Sequence, residues 1–104
     1  MKLILMTAFG LVLSAAAAPG RCEEADKNIF VTVQNSHQGD RYVAVIDEIC
    51  VEEVFNGRII ANGERSVELC AKEFRGATVL IRNERSGAEE RFRDVLGGAS
   101  LPVP

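Results

Sequence analysis

Apolar and polar residues alternate with a period of two in several short runs of this chain. Residues 28–35 (NIFVTVQN) set Ile29, Val31 and Val33 on one face and Phe30, Thr32 and Gln34 on the other. Residues 75–83 (RGATVLIRN) repeat the pattern around Val79 and Ile81, and residues 64–71 (ERSVELCA) point Val67 and Leu69 one way. Alternation carried by β-branched side chains predicts half-buried strands. Residues 41–51 (RYVAVIDEICV) are apolar on both faces, as a central strand covered on two sides would be. Helical spacing links Val45, Ile49 and Glu52, but the Val and Ile content favours a strand.

Turn chemistry divides these runs. Residues 36–40 (SHQGD) read as a turn by composition, and Asn56-Gly57 is the strongest local hairpin signal. A two-residue turn there would pair Phe55 with Arg58 and Val54 with Ile59. Asn62-Gly63 follows only six residues later, too soon for a second tight hairpin, so one pair is expected to carry the chain between sheets. A corner at Ser86-Gly87 would set Ile81 opposite Phe92 and Arg82 opposite Arg91, a like-charge contact. After Gly97-Gly98, residues 99–104 (ASLPVP) form a last short strand whose prolines confine it to an edge. Six or seven short strands with no convincing helix predict an all-β fold, a small antiparallel β-sandwich over residues 28–104.

The N-terminus changes the compartment. Lys2, the apolar run over 3–13 and the small residues at 14–18 have the order of a secretory signal peptide, so residues 1–18 are expected to be cleaved. No second apolar run follows, so no transmembrane segment is expected after cleavage. Residues 19–27 read as a flexible leader, and the mature protein is expected to be secreted or periplasmic. A mature chain of about 85 residues lies near the lower limit for a core that suffices alone. Thiols oxidise in such compartments, and Cys50 and Cys70, both inside ordered-looking segments, are the favoured disulfide. Closing a loop of about 20 residues contributes roughly 3 kcal/mol. Cys22 is left as a free or intermolecular thiol, able to bridge two chains. The two-cysteine staple resembles immunoglobulin-like domains in architecture alone: the chain has no Trp, and its cysteine spacing is far shorter than in antibody domains.

Charge narrows the partners. The whole sequence carries a formal −3, and loss of Lys2 with the signal makes the mature chain one unit more negative. No basic stripe suited to a phosphate backbone exists, which argues against nucleic acid. His37, the single histidine, lies in the polar 36–40 turn and reads as a solvated loop residue. Asp47-Glu48 and Glu52-Glu53 form an acidic patch, but neighbours on a strand face opposite ways, and solubility is its expected role. Arg82, Arg85, Arg91 and Arg93 gather on one predicted hairpin with Glu84, Glu89 and Glu90 between them, and are the candidate binding face. No catalytic residue, metal site or cofactor is expected. The reading is a non-catalytic interaction module for another protein or an envelope component. Its alternatives are an inhibitor of a secreted enzyme, with 56–64 as the tip, and a small carbohydrate-active hydrolase using the acidic patch.

Overall fold

A computed structural model describes residues 26–104. The predicted signal peptide, most of the predicted leader and Cys22 lie outside the described residues. Among the described residues there are seven strands and no helix: β1 (Lys27–Gln34), β2 (Arg41–Asp47), β3 (Glu52–Ile59), β4 (Glu64–Ala71), β5 (Ala77–Asn83), β6 (Glu89–Val95) and β7 (Ser100–Pro102). They form two sheets, ordered β4-β1-β7 and β3-β2-β5-β6, consistent with a small β-sandwich. Valines 31 and 33, Val67, Leu69 and Leu101 of the first sheet bury together with Val43, Val45, Ile59, Val79 and Ile81 of the second. These are the inward positions of the period-two runs. Their outward neighbours stay half-buried or exposed, except Ala44, which is too small to reach past Asn56 and Arg82 on either side of it.

Four expectations are corrected. Asn56-Gly57 is not a turn: both residues lie inside β3, opposite Ala44 and Val43 of β2. Pairing along the whole of β2 outweighs the local preference of two residues, and Gly57 is kept small by the Phe55 ring, 3.4 Å from where a Cβ would stand. The predicted long strand over 41–51 therefore ends at Asp47, and the turn occupies 48–51. Asn62-Gly63 is the connection that moves the chain between sheets, with Asn62 at φ 58°. The β5–β6 register differs by two residues from the Ser86-Gly87 corner: Val79 faces Phe92, and Arg82 faces Glu89. A wider loop, with Gly87 at φ 82°, removes the like-charge pair and gives Arg82 ion pairs to Glu84 (3.4 Å) and Glu89 (3.3 Å). Finally, β7 does lie at a sheet edge, but it runs parallel to β1, so the fold is not purely antiparallel.

The outer strands are blunted. β3 carries an extra residue, Val54, opposite the Val45–Ile46 step, and on β6 Arg93 and Asp94 together oppose Thr78. On β7, the Val103 N–H donates to Gln34, so the alternate residues Ser100 and Pro102 turn their main-chain groups outward, and Pro102 offers no donor there. β4 presents Glu64, Arg65 and Glu68. Each device opposes pairing with another strand.

Candidate functional site

Three buried polar residues, Asn35, Asp47 and Asn83, end or immediately follow a strand, and all use one device. A side-chain oxygen accepts main-chain N–H groups two or three residues ahead, forming the turn, while the remaining side-chain atom reaches a segment distant in sequence. The Oδ1 of Asn83 accepts from Arg85 and Ser86, and its Nδ2 donates to the Pro104 carbonyl. Asn35 accepts from His37 and donates to the carbonyls of Gly39, Ile59 and Ile60. His37 is not a solvated loop residue: it is half-buried, with Nε2 2.9 Å from the Val103 carbonyl, and it fastens the C-terminal segment.

Asp47 organises the opposite end. Its Oδ1 accepts from Ile49 (3.0 Å) and Cys50 (3.2 Å), and its Oδ2 from Cys70 (2.8 Å). This places Cys50, in the 48–51 turn, against Cys70 on β4, and the two form a disulfide with a Cα separation of 6.0 Å. The staple joins the two sheets at their end, unlike the bridge through the centre of an antibody domain. Asp47 and both sulfurs lie within 4.8 Å of one another, but the sulfurs are bonded to each other and the carboxylate is engaged by the main chain.

Strand direction sorts the connections. Those at 48–51, 72–76 and 96–99 share one end with the start of β1, whereas 35–40, 60–63 and 84–88 share the other. At the first end each connection raises an apolar side chain into solvent: Val51 is 67 % exposed, Phe74 94 % and Leu96 68 %. Val51 also holds φ at 54°, a region that β-branched residues rarely adopt. Gly76 closes the 72–76 connection at φ 79°, where a Cβ would stand 2.4 Å from the Val95 carbonyl oxygen.

The four predicted arginines do not form one face. Arg82 is held by its two glutamates, and Arg85 lies 4.1 Å over the Tyr42 ring toward the far end. Arg91 and Arg93 instead line a cleft of about 510 Å³ at the loop end, with Glu48, Lys72, Arg75 and Thr78. Arg91 grips both Glu48 oxygens, at 2.6 and 3.0 Å, and this bond, aided by the field of Arg93, holds the Glu48 carboxyl below the ordinary value of 4.5. Sequence patterning could not find Lys72 and Arg75 as members of this cleft, since they lie on a connection that no hairpin register predicts.

The acidic residues do meet. Asp47, Glu52, Glu53 and Glu68 line a second cleft of about 430 Å³ between β3 and β4. Asp47 is buried with both oxygens bonded to amides, while Glu52, Glu53 and Glu68 are exposed, without the apolar enclosure that a glycosidase acid requires. No helix among the described residues is long and apolar enough to cross a membrane. Compared with protein-family models, with curated proteins and with solved structures, the chain matches none.

Proposed function

We propose that this chain is an exported, non-catalytic binding module, an immunoglobulin-like sandwich that engages another protein through the connections at one end. The observation that carries the reading is that Val51, Phe74 and Leu96 stand exposed on three connections at the same end. Exposed apolar groups gathered in this way mark interaction surfaces. At Val51 the fold also accepts a strained backbone for a side chain that packs on nothing inside, as binding loops do. The disulfide supports export, because such bonds persist in oxidising compartments. Partner addition along a strand edge is disfavoured by the bulges and by Pro102. The inhibitor reading loses much of its tip, since residues 56–59 belong to β3 and Glu64 to β4.

The test is capture by the disulfide-intact protein from its native extracellular or periplasmic fraction, with F74S/L96S and I60S compared in parallel. Ile60 is also exposed but sits at the other end. A discrete partner retained by I60S and lost by F74S/L96S supports the assignment; retention by both variants rejects it.

A further inference from the structure

We infer that the cleft beside the 72–76 connection binds a carboxylate-rich stretch of the partner polypeptide, an inference that rests on the loop-end reading and names its chemistry. Leaving Lys72 out of the count, the cleft gathers Arg75, Arg91 and Arg93 against Glu48 and Asp94, a local excess of positive charge on a chain whose formal charge is −3. Glu48 is taken by Arg91. Arg75 and Arg93 have no ion pair within the described residues, and both are exposed. Two open guanidiniums in one concavity suit carboxylates, which each fork can hold through two parallel hydrogen bonds.

The surroundings favour a polypeptide over a free phosphate. Phosphate sites draw on main-chain N–H groups. Here the amides of Glu48, Arg75 and Gly76 are already bonded to the carbonyls of Thr78 and Lys72. Phe74 stands fully out of the same connection, next in sequence to Arg75, so a bound segment would meet an apolar contact beside the charged one. An acidic stretch with a neighbouring apolar residue answers both features. The anchoring Arg91–Glu48 pair keeps one wall of the cleft in place without a ligand.

Isotope-labelled, disulfide-intact protein titrated at low salt with hexaglutamate, hexaglutamine and inorganic phosphate, and followed by its amide resonances, tests this. Hexaglutamate should move the signals of residues 72–78 and 91–94, with an affinity that falls as salt rises. R75S/R93S should weaken it about tenfold or more, while R82S/R85S, whose guanidiniums are occupied elsewhere, should stay within about twofold. Both variants alter surface residues, and the dispersion of the spectrum reports that each is folded. Equal binding of hexaglutamine, binding of phosphate alone, or an unchanged R75S/R93S overturns the inference. Native-partner capture that survives R75S/R93S but not F74S/L96S removes the acidic ligand and leaves the loop-end surface standing. Capture unaffected by either pair removes both.

Discussion

Replacing Asp47 with Ala should unfasten the loop end of the sandwich. The carboxylate is 1 % exposed and accepts three main-chain N–H groups, two from the 48–51 turn and one from Cys70. A hydrogen bond to a charged group contributes about 1.5–3 kcal/mol, but the three donors share one acceptor and water can partly replace it, so about 3–5 kcal/mol is expected in total. Net stability for a domain of this size is about 5–10 kcal/mol. At about 4–8 °C per kcal/mol, the melting temperature should fall by at least about 12 °C. Asp47→Asn keeps an oxygen for the turn but sets an amide donor against the Cys70 N–H, so it should lose roughly half as much. The decisive measurement is a double-mutant cycle by thermal and urea unfolding, with C50S/C70S as the second perturbation. Removing the disulfide alone should cost about 3 kcal/mol for its loop. Without it the turn is already loose, so Asp47→Ala should then cost at least about 1 kcal/mol less than in the intact protein. Equal costs in the two backgrounds, or a shift under about 3 °C in the intact one, would show that the carboxylate does not hold the staple.

Three further outcomes follow from the same geometry. Val51→Asn relieves a left-handed β-branched residue and should stabilise the domain by about 1 kcal/mol in urea melts while weakening partner capture; a destabilised variant would contradict the strain. Gly76→Ala drives a methyl group into the Val95 carbonyl and should cost about 2 kcal/mol or more by the same measurement. Glu48 has a folded pKa below its unfolded one, so its contribution is full above the ordinary value of 4.5 and is lost as the pH falls through the lowered folded value. The urea midpoint of the protein relative to Glu48→Gln should therefore narrow on acidification below 4.5, and a constant gap would refute the Arg91 pairing.

Strands whose two faces differ were legible in the sequence. β4 falls at its predicted bounds, and β1 begins and ends one residue earlier than predicted, because alternating Val, Ile and Leu against polar neighbours leaves one choice of face. The cysteine pairing was legible too, since Cys50 and Cys70 adjoin ordered runs. The β2–β3 turn was not. Its cause is a side chain, Asp47, that reads as a surface acid and is in fact a buried acceptor for a turn and a distant strand. Asn56-Gly57 illustrates the converse, a pair whose local preference yields to seven paired positions of ladder. The loop-end cleft was half visible: Arg91 and Arg93 were singled out, but Lys72 and Arg75 reach them only because the β4–β5 crossover and the β6 bulge fall at one end. Arg85 was grouped with them by sequence proximity, although two strands of opposite direction carry it to the other end.

The parallel pairing of β1 with β7 has a consequence for how the molecule is made. β1 acquires its second neighbour only from the segment synthesised after the other six strands, and His37 finds Val103 across 66 positions of chain. Until then a nascent β1 exposes half of its main chain to any passing strand. Loss of the segment that carries β7 would bare this side of β1 for good and leave it a template for aggregation.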